Sequence, residues 1–171
     1  FKFYKAVAQF LLKEKNEKIN ILGKTKNDEE NAIKFYNNLF GNTNYNYIDR
    51  TGYSYKYLDR SEIIIGTTST LLYEALSRGK RTGVFSHKGK IKKFANTTFA
   101  WPTKIKNKGY FWSDSIEIDE IRRVINFLTD VSEKKWKKIL KNEFDHVLKH
   151  DKNNRKFINF TKKIKMPIKS T

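Results

Sequence analysis

Between residues 57 and 86 the hydrophobic pattern of the chain changes its period. Residues 63–65 are three consecutive isoleucines, an apolar run without alternation that is typical of a strand buried on both faces of a parallel sheet. Four hydroxyl residues follow Gly66, and a helical pattern then runs to Gly79, which is a favoured helix C-cap residue. The apolar residues at helical spacing are Leu71, Leu72, Ala75 and Leu76. Residues 82–85 predict the next strand, so the stretch predicts one strand–helix–strand unit.

The rest of the chain alternates between helical and strand patterns in the same way. The predicted helices cover residues 1–13, 28–40, 55–60, 118–128, 136–147 and 153–164. Strands are predicted over residues 18–23 and 45–49, and residues 94–112 are aromatic and irregular. This order predicts an α/β fold, a Rossmann-like three-layer sandwich with a mostly parallel sheet. Residues 1–165 are predicted to form one domain, followed by a basic tail at 166–171.

The turn after the central strand is the first candidate binding site. A helix N-terminus carries unpaired N–H groups and a partial positive charge, which suits a phosphate group. Gly66 allows close approach of a ligand, and the hydroxyls of Thr67, Thr68, Ser69 and Thr70 are donors to phosphate oxygens. Glu74 lies one turn later and can accept hydrogen bonds from ribose hydroxyls. The alternative is that Ser69 or Thr68 only caps the helix and that Glu74 is solvated.

Two further residues follow predicted strands and therefore lie at the same edge of the sheet. Lys24 follows the first strand and His87 follows the strand after the central helix. Lys24 is a candidate contact for a phosphate or an acceptor, and His87 is a candidate general base. The alternatives are a solvated lysine and an exposed loop histidine.

The stretch from Asp59 to Lys80 resembles the donor-site segment of GT-B glycosyltransferases. It carries Asp-x-Ser-Glu-Ile-Ile-Ile-Gly-x-x-Ser-Thr and then Glu-Ala-Leu-x-x-Gly-Lys. The closest similarity is to bacterial capsule and O-antigen biosynthesis proteins, including Kdo transferases. Residues 109–112 (Gly-Tyr-Phe-Trp), Trp136 and residues 150–157 resemble the same group, and the resemblance spans Ile19 to Phe160.

This resemblance implies the nucleotide-sugar-binding, C-terminal half of a two-domain GT-B enzyme. Donor phosphates are then expected at the Ser-Thr turn and the nucleoside at Glu74. In such proteins the loop after the second strand reaches the base, so Arg50, Tyr53 or Tyr55 is expected to stack on it. Packing of these aromatic residues on a neighbouring loop is the alternative.

The composition adds a strong positive charge. The formal net charge is +18, and it comes mostly from 29 lysines against seven arginines. Such a charge suits nucleic acid, an anionic membrane surface, or acidic glycan and nucleotide ligands. Abundant lysine, asparagine, isoleucine and tyrosine also accompany AT-rich coding, and arginine, which is preferred for bidentate phosphate contacts, is scarce. Nucleic acid is therefore the least favoured of these partners.

Other classes of site find little support in the sequence. The chain has no cysteine, which excludes a disulfide scaffold and a thiol nucleophile. His146 and His150 are four residues apart but lack the glutamate of a His-Glu-x-x-His motif, so no metal site is expected. No apolar run approaches the roughly 20 residues that span a membrane. We expect a cytoplasmic location, with peripheral contact to the inner membrane through Lys90, Lys92 and Lys93 as an option.

The sequence therefore predicts a glycosyltransferase domain that binds a nucleotide sugar, with CMP-Kdo as the first candidate donor and UDP and GDP sugars next. The acceptor is expected to be a glycan or lipid-linked surface polysaccharide, and no cofactor is expected. Because the chain begins at Phe1, it is expected to lack an N-terminal half that supplies the catalytic base, which would leave this half inactive alone. A sugar-nucleotide epimerase and a basic nucleic-acid-binding or scaffolding module are the alternatives.

Overall fold

The computed structural model describes residues 2–15, 19–23, 29–41, 45–48, 54–67, 69–86 and 106–164. Its helices are α1 (Lys2–Ala8), α2 (Glu29–Phe40), α3 (Ser54–Arg60), α4 (Thr70–Ser77), α5 (Ile118–Asp130), α6 (Glu133–Glu143) and α7 (Arg155–Lys163). Its strands are β1 (Ile19–Leu22), β2 (Tyr45–Ile48), β3 (Ile63–Thr67), β4 (Arg81–Phe85) and β5 (Trp112–Ser113). A π-helical segment, Gln9–Glu14, extends α1, and a 3₁₀ turn, Lys152–Asn154, precedes α7.

All strand pairs in these elements are parallel. β1 pairs with β2, and a second sheet has the order β3-β4-β5. The α/β prediction with parallel strands is therefore confirmed, and the architecture is compatible with a Rossmann-like fold. The sequence predicted one sheet, whereas the described strands form two, of two and three strands.

Helices cover both faces of the three-stranded sheet. On one face the ring of Phe3 in α1 lies 5.3 Å from the ring of Phe85 in β4. α5 packs on the same face so closely that a Cβ at Gly83 would lie 3.1 Å from Cγ1 of Val124. On the other face α4 packs against β3 and β4, and Leu72 covers Gly66. β3, which carries the glycine-hydroxyl turn, is thus held between two helical layers.

The C-terminal end of α4 is fixed by a Schellman motif and by Trp136. Gly79 adopts φ +82°, the N–H of Lys80 donates to the carbonyl of Ala75 at 3.0 Å, and the N–H of Gly79 donates to Leu76. The buried indole of Trp136 donates its N–H to the carbonyl of Gly79 at 2.9 Å and packs edge-on against Phe111. The stretch from Asp59 to Lys80, residues 109–112 and Trp136 all resemble glycosyltransferase segments, and they contact one another here.

A charged clamp holds β5 to α5. The guanidinium of Arg123 donates to the carbonyl of Gly109 at 2.8 Å and to the carbonyl of Trp112 at 3.3 Å, and it is paired with Glu120 at 2.9 Å. Gly109 lies under the indole of Trp112, where a Cβ would clash with the ring, so a larger residue would not fit without a shift. Hydrogen bonding to Arg123 lowers the pKa of Glu120 to about 2.

We expect Glu120→Gln to destabilise the protein by ~1–2 kcal/mol at pH 7, because it weakens this half-exposed clamp. The folded-state pKa lies below the usual 4.5, so the charged clamp stabilises the fold above pH 4.5 and loses this effect as pH falls toward about 2. Urea unfolding of both proteins between pH 7 and pH 3 should show that the difference between their free energies of unfolding becomes smaller as the pH falls. Glu143→Gln on α6 is the control; a deficit that stays constant with pH would contradict the assignment.

Several helix bounds differ from the prediction. α6 ends at Glu143 rather than at 147, and residues 144–147 form a turn. α7 begins at Arg155 rather than at 153, because Asn153 and Asn154 have φ of 62° and 52° and cannot belong to a right-handed helix. None of the described helices is both long enough and apolar enough to cross a membrane.

Candidate functional site

The turn between β3 and α4 exposes its last two hydroxyl residues, Ser69 and Thr70. Gly66 and Thr67 are the last residues of β3, and Ser69 is the N-cap residue of α4 with an extended backbone. The side chain of Ser69 makes no capping hydrogen bond, and both Ser69 and Thr70 are exposed. The first turn of α4 carries no acidic residue, so nothing in that turn neutralises the positive end of the helix dipole.

Glu74 belongs to a cluster of three side chains on α3 and α4. The hydroxyl of Tyr55 donates a hydrogen bond to the carboxylate of Glu74, and this bond raises the pKa of Tyr55. The guanidinium of Arg78 lies 5.0 Å from the centre of the Tyr55 ring, as in a cation–π pair. Arg78 also lies 3.5 Å from the carboxylate of Asp59. The aromatic ring is therefore fixed between an acidic and a basic group.

This cluster forms one wall of an open cavity of about 700 Å³. The opposite wall is the segment after α6, so the cavity joins parts of the chain that are about 75 residues apart. The lining residues are Tyr55, Glu74, Ser77, Arg78, Leu148, Lys149, His150, Asp151, Lys152, Asn153 and Asn154. The volume is within the range of roughly 300–1,000 Å³ that small-molecule sites have.

The second wall is shaped by two consecutive left-handed asparagines. Asn153 and Asn154 turn the chain sharply, and the carboxylate of Asp151 accepts a hydrogen bond from the backbone N–H of Lys156 at 2.8 Å. The cavity thus contains two carboxylates, Glu74 and Asp151, together with basic side chains on both walls. Such a mixture can bind hydroxyl groups and an anionic group at the same time.

The structure brings together only part of the predicted set. Glu74 and Tyr55 meet in the cavity wall, and their contact with a nucleoside stays a prediction. Gly66, Thr67, Ser69 and Thr70 are not among the cavity-lining residues described; Thr70 precedes Glu74 by one turn, about 6 Å along α4. The predicted residues Lys24, Arg50, Tyr53, Thr68 and His87 lie outside the described residues.

Two parts of the site were not predicted from the sequence. These are Arg78 and the cavity wall that residues 148–154 form. Arg78 follows Glu74 by four residues, so the spacing itself places both on one face of α4. The sequence pattern predicts a helix that starts at Asn153, and it does not reveal that Asn153 and Asn154 adopt positive φ. His146 and His150 do not share a helix, because α6 ends before both.

A comparison with protein families gave one match. A family model described as "putative O-antigen biosynthesis protein" matches residues 3–165. Comparisons with curated proteins and with solved structures gave no significant match. The family match covers nearly the whole chain, including the cavity and all described elements from α1 to α7.

Proposed function

Because the chain belongs to this O-antigen biosynthesis family, we propose that it is the donor-binding part of a glycosyltransferase. It binds a nucleotide-activated sugar, and the sugar is transferred to a growing surface polysaccharide. A CMP-linked acidic sugar such as CMP-Kdo is the first candidate donor, and UDP and GDP sugars follow.

The observation that carries this proposal is the cavity beside α4. Glu74 projects into it next to an aromatic ring, a combination that suits a ribose and a base. Three cations, Arg78, Lys149 and Lys152, line the same cavity against the two carboxylates Glu74 and Asp151, so a small excess of positive charge is available to a nucleotide. The neighbouring start of α4, one turn away, offers backbone N–H groups and the Ser69 and Thr70 hydroxyls to a phosphate.

In this arrangement the domain acts by orientation and charge stabilisation. The bond between the sugar carbon and the phosphate oxygen breaks, and its electron pair stays on that oxygen, where negative charge grows. The acceptor hydroxyl oxygen forms the new bond to the sugar carbon and gives its proton to a base. N–H and hydroxyl donors that are already oriented toward that oxygen lower the barrier. The group that activates the acceptor hydroxyl belongs to another part of the enzyme in this proposal.

The proposal is tested by thermal-shift and calorimetric titration with CMP, UDP, GDP and CMP-Kdo at physiological salt. We expect one nucleotide alone to raise Tm. At a nucleotide concentration one hundredfold above Kd, binding stabilises the folded protein by about 2.7 kcal/mol. The double variant Ser69→Ala with Thr70→Ala should lose most of this shift, because both hydroxyl donors to the phosphate are gone.

The control variant Thr129→Ala removes an exposed hydroxyl near the end of α5 and should keep the shift. The carbonyl of Thr129 accepts from Arg81 at the start of β4, so this residue lies at the edge of the sheet opposite to the glycine-hydroxyl turn. Equal binding by wild type and the Ser69/Thr70 variant would contradict the phosphate assignment. Absence of any nucleotide response, together with DNA binding whose log affinity falls linearly with log salt, would replace the proposal by a nucleic-acid-binding function.

A further inference from the structure

The helix that follows the cavity wall exposes an apolar stripe. Phe157, Phe160 and Ile164 follow one another at three- and four-residue spacing along α7 and its C-cap, so they lie on one side of the helix. They are 62%, 57% and 48% exposed. Phe157 and Phe160 are the two most exposed large hydrophobic residues among those that the structure describes.

This stripe is not the side by which α7 is attached to the protein. Thr161 is 3% exposed, and Ile158 is partly buried, so these residues face the domain. The buried hydrophobic core, as described, includes neither Phe157 nor Phe160. An apolar surface of this kind on a folded domain marks a place where something else binds.

The charges around the stripe indicate what binds there. Residues 152–164 contain five cations and no Asp or Glu: Lys152, Arg155, Lys156, Lys162 and Lys163. Lys156 and Lys163 each lie one turn from Phe160, on its two sides along the helix. A second copy of α7 would bring cations against cations, and a nucleic acid offers charge but no apolar layer. An anionic lipid bilayer offers both, with phosphates above an apolar interior.

We propose that α7 is an interfacial membrane-binding helix. It lies flat on an anionic bilayer, with Phe157, Phe160 and Ile164 at the boundary between headgroups and acyl chains. Lys156 and Lys163 contact lipid phosphates beside them. None of these five residues lines the cavity, although the stripe and the cavity adjoin each other at the 3₁₀ turn, and binding of lipid requires no bound donor.

The test is co-sedimentation of the purified chain with vesicles of phosphatidylcholine alone and of equimolar phosphatidylcholine and phosphatidylglycerol. We expect binding only to the anionic vesicles. Phe157→Ala with Phe160→Ala should weaken it at least about tenfold, because two aromatic anchors are lost. Lys156→Gln with Lys163→Gln should weaken it roughly 25-fold, at about fivefold for each cation near the surface.

The matched control is Lys134→Gln with Lys138→Gln, which removes the same charge from exposed positions on α6. It should bind nearly as wild type does. Equal losses from the two lysine pairs, with no effect of the phenylalanine pair, would overturn the proposal in favour of general charge attraction. Concentration-dependent dimers that the phenylalanine pair abolishes, without vesicle binding, would overturn it in favour of self-association.

A direct readout is available because the chain contains no cysteine. A polarity-sensitive dye on Ile164→Cys should shift to the blue with anionic vesicles, whereas the same dye on Lys141→Cys in α6 should not. Equal responses of the two probes would contradict insertion of α7. Nucleotide titration of the phenylalanine pair should match wild type, so failure of this proposal and failure of the donor site are told apart.

Discussion

Trp136→Ala is expected to destabilise the protein by about 3–5 kcal/mol, the usual cost of truncating a buried tryptophan. The indole is 2% exposed, packs against Phe111 and donates its N–H to the carbonyl of Gly79. Its loss leaves a cavity between α4, α6 and β5 and an unsatisfied carbonyl at the end of α4. Thermal unfolding should show Tm lower by roughly 10 °C.

Trp136→Phe separates the loss of core packing from the loss of the hydrogen bond to Gly79. It keeps an aromatic ring in the core but leaves the Gly79 carbonyl without its donor, so a smaller loss of about 1–3 kcal/mol is expected. Tyr110→Ala, which truncates a 49% exposed aromatic residue, is the control and should cost much less. If Trp136→Ala were no worse than the control, the packing described for the end of α4 would be wrong.

Glu74→Gln is expected to lower the affinity for the preferred nucleotide by about 10- to 100-fold, the range of a hydrogen bond to a charged group. The amide keeps the size of the side chain but loses the charge and one acceptor. Isothermal titration of wild type and variant measures the change. Glu133→Gln on α6, at an exposed ion pair with Lys137, is the matched control and should bind normally.

Tyr55→Phe tests how Glu74 is held. The ring remains under Arg78, but the hydroxyl that donates to the Glu74 carboxylate is removed. We expect a weaker effect than that of Glu74→Gln, within about tenfold, because a neutral donor orients the carboxylate without contacting ligand. Tyr110→Phe is the control, since its exposure of 49% matches the 48% of Tyr55.

If Glu74→Gln bound the preferred nucleotide with wild-type affinity, Glu74 would be excluded as the nucleoside contact.

Regular elements were predictable because local periodicity determines them. The three isoleucines of β3, the pattern of α4 and its end at Gly79 all follow from burial and from the left-handed cap. The clamp of Glu120 and Arg123 on β5 was not predictable, because it joins a helix to carbonyls 11 and 14 residues away. Backbone carbonyls leave no trace in the sequence pattern.

Of the two walls of the cavity, only the wall formed by α3 and α4 was predictable, because residues close in sequence determine it. Glu74 was identified because it lies one turn into a helix that follows a glycine-hydroxyl turn, and that spacing is local. The opposite wall depends on the early end of α6 and on positive φ at Asn153 and Asn154. Asparagine tolerates this conformation better than most residues but does not require it, so the sequence alone left both outcomes open.

The 3₁₀ turn that lines the cavity leads into α7 through the sharp turn at Asn153 and Asn154, and Phe157 follows Asn154 by three residues. If α7 adsorbs to a bilayer as proposed, Phe157 lies at the lipid surface, and Asn154 in the cavity wall is about 5 Å from it along the helix axis. The mouth of the cavity is then held close to the lipid surface. An acceptor anchored in the same bilayer would then meet the enzyme by lateral diffusion in two dimensions rather than by a search through bulk solvent. The tether would raise the effective concentration of that acceptor without any added contact in the cavity.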